Sequence, residues 1–190
     1  MRVISGIYGG RNLAAPAGQN TRPTTDRVKE SLFSTLASAR GGFSDAVVLD
    51  AFAGSGALGI EALSRGAAFA LFCERDRAAL TALAKNTSFL DEGSFRIVRG
   101  DCLKRVAVLA DAPHAFDLVL LDPPYALSPT AVAGFVADLD SAGALSPECL
   151  VTYECASGAL AEEALLEVGW CARGVKIYGD TKICLFAQGR

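Results

Sequence analysis

From residue 46 onward, apolar runs of strand length alternate with stretches in which apolar residues recur every three to four positions. That alternation is the mark of a parallel sheet covered by helices on both faces. The runs predict strands at Ala46–Phe52, Phe69–Glu74, Phe95–Val98, Asp117–Asp122 and Leu150–Glu154, followed by a closing pair at Ala172–Ile177 and Lys182–Ala187. Helices are expected at Leu58–Arg65, Arg77–Phe89, Leu103–Leu109, Ala131–Leu139 and Leu160–Val168. Only Tyr178-Gly179-Asp180-Thr181 separates the last two strands, too few residues for a parallel crossover, so these strands must form an antiparallel hairpin.

Two pieces precede this α/β pattern. Arg2–Leu13 can pair as a small hairpin around Gly9-Gly10, and a helix begins after Pro23 with Thr25 or Asp26 as its cap. Val28, Leu32, Phe33 and Leu36 form one apolar face of that helix, which should dock on the body. Residues 1–40 therefore read as an N-terminal extension and residues 41–190 as the main domain.

At 190 residues and 51% hydrophobic content, the chain suits one compact domain with a substantial core. Its apolar runs are far shorter than a membrane helix needs, and its first residues do not resemble a secretory signal, so a cytoplasmic protein is expected, as a monomer. Six cysteines without a Cys-x-x-Cys pair, and a single histidine, His114, argue against a metal site. The cysteines lie mostly in strand-like text, where free thiols act as small buried hydrophobes. The net charge of −3 is unevenly divided: residues 1–40 carry +4 and the remainder −7. A basic front on an acidic body could touch phosphates, or could simply be a solvated segment.

The first strand ends in Asp50-Ala51-Phe52-Ala53-Gly54-Ser55-Gly56-Ala57-Leu58-Gly59 and opens a helix, the context of a glycine-rich nucleotide loop. By itself the loop also fits a dinucleotide fingerprint, with Glu74 as the ribose-binding acid. Asp50 tilts the choice, because a carboxylate would repel a pyrophosphate and attract the cationic groups of S-adenosylmethionine. A sheet closed by an antiparallel hairpin agrees, since the dinucleotide domain is parallel throughout. The fold class expected is α/β, a Rossmann-like class I methyltransferase with seven strands. Glu74 can accept from ribose hydroxyls and Asp101 from an adenine amino group, although either could be only a helix cap. Asp50, Phe52, Gly54, Ser55, Gly56, Glu74, Arg75, Asp101 and Cys102 are the candidate cofactor contacts.

The fourth strand delivers Asp122-Pro123-Pro124-Tyr125 to the same rim. Two prolines stiffen the turn and leave carbonyls free to accept. An aromatic amine is a poor nucleophile because its lone pair is delocalised into the ring. Asp122 and the Pro123 carbonyl can accept its two hydrogens and restore that lone pair for in-line displacement, while Tyr125 stacks on the base. A stacked base would have to be extruded. Asp122, Pro123, Pro124 and Tyr125 are thus the candidate catalytic residues.

Nearly end to end, the chain resembles the small bacterial 16S ribosomal RNA guanine methyltransferases. The resemblance rests on Arg2-Val3-Ile4-Ser5-Gly6 with Gly10-Arg11, on Thr21 through Glu30, on the Gly54 loop and Asp122 turn, and on Tyr178-Gly179-Asp180-Thr181. It implies methylation of a guanine 2-amino group in 16S rRNA, on the small ribosomal subunit or its assembly intermediate. It also implies an N-terminal extension that closes the cofactor pocket, with Arg11, Arg22 and Arg27 as candidate RNA contacts. Two rivals remain: a DNA adenine or cytosine amino-methyltransferase, for which 190 residues leave no recognition domain, and a non-catalytic ribosome-assembly factor. An NAD-dependent oxidoreductase is a third.

Overall fold

A computed structural model of the chain describes residues 1–17 and 26–189. The elements run α1 (Asp26–Arg40), β1 (Val47–Asp50), α2 (Ala57–Ser64), β2 (Phe69–Glu74), α3 (Arg77–Thr87), β3 (Phe95–Arg99), α4 (Val106–Ala110), β4 (Phe116–Leu121), α5 (Pro129–Ser141), β5 (Leu145–Ala156), α6 (Ala161–Glu167), β6 (Trp170–Tyr178) and β7 (Thr181–Gln188). The seven strands form one sheet in the order β3-β2-β1-β4-β5-β7-β6. The first five are parallel, and β7 inserts antiparallel between β5 and β6. This is the Rossmann-like class I methyltransferase architecture that the closing hairpin implied.

Both faces of the sheet are covered because strand side chains alternate. Val47 and Leu49 join Leu71, Val119, Leu121, Val151 and Phe186 in a core closed by α4, α5 and α6. Val48, Leu118, Leu120 and Leu185 face the other way, into a core built with α1, α2, α3 and the N-terminal segment. Val28, Leu32, Phe33 and Leu36 of α1 are buried in that second core, the face expected from their spacing. Thr25, one of the two expected caps, lies outside the described residues, and Asp26 is the first described residue of the helix.

Three details depart from the sequence reading. The N-terminal hairpin is rudimentary: one antiparallel bridge, Arg2 to Asn12, flanked by Val3 N–H to Arg11 O at 2.9 Å and Leu13 N–H to Met1 O at 3.0 Å. The expected helix at Leu103–Leu109 is split at Arg105 into a 3₁₀ turn, Cys102–Lys104, and the short α4, because Arg105 adopts φ −123°. Strand β5 begins at Leu145 rather than Leu150, reached through an irregularity opposite Phe116–Leu118.

The N-terminal segment is strapped to α2. Ile7 N–H donates to Ser64 O at 2.8 Å, Tyr8 N–H to Ser64 Oγ at 2.9 Å, and Ser64 Oγ to Ser5 O at 2.5 Å. A Cβ on Gly6, at φ +84°, would lie 1.7 Å from the Ser64 carbonyl oxygen, so only glycine permits this approach. Glu61 of α2 is the polar centre of the strap. Its Oε2 accepts from Ile4 N–H at 2.7 Å and lies 3.1 Å from Lys29 Nζ, while Oε1 accepts from Ser5 N–H at 3.0 Å and Arg65 Nε at 2.8 Å. Lys29 Nζ also donates to Arg2 O at 2.5 Å.

Candidate active site

At the carboxyl ends of the parallel strands, beside the switch in strand order between β1 and β4, lies a cavity of about 900 Å³. In open parallel sheets ligands bind at this place, and the volume is ample for a nucleoside-sized ligand. Its walls bring together Asp50, Phe52, Gly54, Ser55, Glu74, Arg75, Asp101, Cys102, Asp122, Pro123, Pro124 and Tyr125, from four strand ends well separated in sequence.

The glycine loop shows why each glycine is there. Gly54, at φ +53°, has open space where a Cβ would be and forms part of the wall. Gly56, at φ +83°, begins α2 and packs under Leu83, where a Cβ would approach Cδ1 to 2.5 Å. It supports the loop without lining the cavity. Gly59 lets α2 lie against β2, since a Cβ there would come within 2.3 Å of the Phe72 ring.

Carboxylates dominate the polar lining. Asp50 is 1% exposed and accepts from Gly59 N–H at 2.9 Å. Burial pushes its pKa from 3.8 up to about 7, opposed by the Gly59 bond and reinforced by Asp122 and Glu74. Glu74 accepts from Gly54 N–H, Arg75 N–H and Asp76 N–H, each at 2.7 Å, which fixes both its oxygens at the rim. Asp101 accepts from Leu103 N–H at 3.3 Å and pairs with Arg75 at 3.3 Å, so it is a helix cap and a wall residue together. Enclosure by protein pushes Asp122 up to about 6. Tyr125 is 56% exposed, and its hydroxyl lies 3.0 Å from Thr181 Oγ1.

The thiols at the site are poor nucleophiles. Burial first, then Glu74 and Asp101, pushes Cys73 up to about 12, and burial raises Cys102 as well. Among the described residues, no group of three or more His, Cys, Asp and Glu is placed to hold a metal ion. Nor is any helix among them long and apolar enough to cross a membrane.

The cavity also has walls that strand-end reasoning missed: Met1 and Pro16 from the N-terminal segment, Lys29 from α1, and Glu154 from β5. Glu154 could have been found by extending the strand-end rule to β5. Nothing local marks the other three. Asn86 holds the segment beside the loop, accepting from Ala14 N–H at 2.8 Å and donating to Ala14 O and Ser55 O at 2.9 Å each.

The basic front is largely spent internally. Lys29 is buried against Glu61, Arg2 pairs with Asp26 at 2.8 Å, and Arg40 lies 3.7 Å from Asp117. Arg11 lies 4.0 Å over the Phe89 ring. Arg27 is exposed on α1, and neither it nor Arg11 lines the cavity. Arg22 lies outside the described residues.

Comparison with known proteins gives a consistent picture. A family model described as conserved hypothetical protein 95 matches residues 1–187. The chain is 46% identical over 125 residues to the ribosomal RNA small subunit methyltransferase D of Escherichia coli (strain K12), covering 66% of this chain and 60% of that protein. The corresponding protein of Haemophilus influenzae is 39% identical over 127 residues, covering 66% of this chain and 64% of its own length. These alignments thus span less than two thirds of those curated relatives. A solved Escherichia coli structure, described as the candidate methyltransferase yhhF, superposes with a TM-score of 0.79 at 35% identity, covering 99% of this chain and 97% of that one.

Proposed function

We propose that this chain, which belongs to the conserved hypothetical protein 95 family, transfers a methyl group from S-adenosylmethionine to the exocyclic 2-amino group of a guanine in 16S ribosomal RNA. The observation that carries the reading is the placement of Asp122-Pro123-Pro124-Tyr125 in the same cavity wall as Gly54, Glu74 and Asp101.

The residues suit the cofactor. Among the described residues Asp50, Glu74, Asp76, Asp101, Asp122 and Glu154 line the cavity against Lys29 and Arg75, a balance that favours a cationic ligand. Gly54 leaves room for close approach. Glu74 would hold the ribose, Asp101 the adenine amino group, and Asp50 would act through space from beneath the loop. When bound, the cofactor supplies an electrophilic methyl group on a sulfonium.

The chain's own residues do the rest. The Asp122 carboxylate and the Pro123 carbonyl accept the two amino hydrogens, which localises the lone pair on nitrogen. The raised pKa of Asp122 makes it a better acceptor for the proton that nitrogen must shed, while leaving it mostly ionised above neutrality. Pro123 and Pro124 keep the turn from relaxing between turnovers. Tyr125 presents an exposed ring on which the base stacks.

The two relatives are named as small-subunit ribosomal RNA methyltransferases, which supports RNA over DNA. The substrate would be the small subunit or an assembly intermediate, met in the cytoplasm by a monomer. Residues 1–40 would act as an extension that covers the cofactor and helps receive RNA, since Met1, Pro16 and Lys29 already form part of the wall. Arg11, Arg22 and Arg27 would be its candidate RNA contacts. Labelled S-adenosylmethionine offered with unmodified small subunits, naked rRNA and duplex DNA tests the proposal. Label should appear on guanine N2 in the subunits, and label on DNA alone would overturn it.

A further inference from the structure

Every parallel strand of the sheet ends at the cavity rim, but β7 runs the other way and therefore begins there. The turn that joins β6 to β7, Gly179-Asp180 with Gly179 at φ +61°, is thereby set beside the catalytic turn. The segment Tyr178–Thr181 is distinctive in the sequence, yet nothing in the chemistry above uses it.

Its contacts give it a task. Tyr178 Oη donates to Ser31 Oγ at 2.5 Å, Lys176 Nζ donates to Ser31 Oγ at 3.1 Å and Thr35 Oγ1 at 2.9 Å, and Ser157 N–H donates to Asp180 O at 2.9 Å. The turn is thus braced on α1 and on the end of β5. From this braced turn, Thr181, only 8% exposed, holds the hydroxyl of Tyr125 at 3.0 Å. Pro124 stiffens the backbone before Tyr125, so the side-chain torsions are what remain to be ordered. An exposed tyrosine would sample several rotamers, and a tether to a buried partner selects one before the base arrives.

We propose that Thr181 is a positioning residue for methyl transfer, fixing the Tyr125 ring over the mouth of the cavity so that the target base stacks in line with Asp122. This inference rests on the reading of the site as a base amino-methyltransferase.

The test is a double-mutant cycle on the full chain with small subunits as substrate, reading kcat/KM for RNA and, separately, the cofactor dissociation constant. Thr181→Val and Tyr125→Phe each remove one hydroxyl, and each should lower kcat/KM about fivefold, the worth of one net hydrogen bond. The double variant should be no worse than either single, Thr181→Ser should restore wild-type activity, and cofactor affinity should stay within about twofold throughout. Losses that multiply to about 25-fold in the double variant, or a parallel loss of cofactor affinity, would overturn the role of Thr181. A wild-type protein that methylates no RNA would overturn the reading of the site, and this proposal with it. An active wild type with independent losses would overturn only the latter.

Discussion

Replacing Glu61 with glutamine leaves the volume of the side chain almost unchanged and removes one charge, so its effect can be worked from the contacts alone. Each carboxylate oxygen accepts two donors: Oε2 takes Ile4 N–H and Lys29, and Oε1 takes Ser5 N–H and Arg65. Whichever way the amide is turned, its NH₂ group faces one backbone donor and one cation. One backbone N–H loses its acceptor, at about 1–3 kcal/mol if it stays buried. Lys29, with a side chain 2% exposed, also loses its counter-charge, and breaking a buried pair in this way costs about 3–5 kcal/mol. The costs overlap, since detachment of the strap would rehydrate the lysine and both amides together, so about 3–5 kcal/mol is expected in total. Urea unfolding of wild type and Glu61→Gln measures this directly, and hydrogen exchange should show early loss of protection at Ile4 and Ser5. A loss below about 1 kcal/mol, with those amides still protected, would refute the view of Glu61 as the centre of the strap.

Three further outcomes follow from the site. Asp122→Ala should lower kcat by about a hundredfold or more while cofactor affinity falls far less, and in the wild type kcat/KM should fall as pH drops through about 6, because the ionised carboxylate is the accepting form; a flat profile would exclude that role. Asp50 has a folded-state pKa raised from 3.8 to about 7, so between those values the folded protein binds more protons than the unfolded chain and stability falls as pH rises. Asp50→Asn keeps an acceptor for Gly59 and removes that penalty, so melting temperature at pH 8 should rise while calorimetry shows weaker cofactor binding. Gly59→Ala sets a methyl group 2.3 Å from the buried Phe72 ring, which costs about 1–3 kcal/mol against a helix-propensity gain of about 1 kcal/mol, and chemical denaturation should show a net loss.

Much of this site is written locally in the chain. The loop from Asp50 to Gly59 and the turn from Asp122 to Tyr125 each sit within a strand-to-turn unit whose residue types state their purpose, and the hairpin after Tyr178 betrays its direction by being too short to cross over. The acids at the ends of β2 and β3 were legible because a parallel sheet brings its strand ends to one rim. What stayed hidden is non-local. Nothing beside Lys29 in the sequence marks it, and only Glu61, thirty-two residues on, makes it a buried wall of the cavity. Met1 and Pro16 carry no mark of function until Gly6 meets Ser64 and folds their segment over the loop. The internal partners of Arg2, Lys29 and Arg40 were hidden for the same reason, since they come from three different elements. Gly56 packs under Leu83 at the start of α2 and outside the cavity wall, a placement that its position in the motif does not reveal.

The single amide of Asn86 reaches the loop at Ser55 and the N-terminal segment at Ala14. Floor and roof of the ligand chamber therefore share one anchor, buried at 4% exposure. Structures joined through a common buried polar group open as one cooperative unit instead of fraying separately. Ligand residence in this cavity would then be governed by one opening equilibrium, and the amide of Ala14, remote in sequence from the Asp122 turn, would report on it.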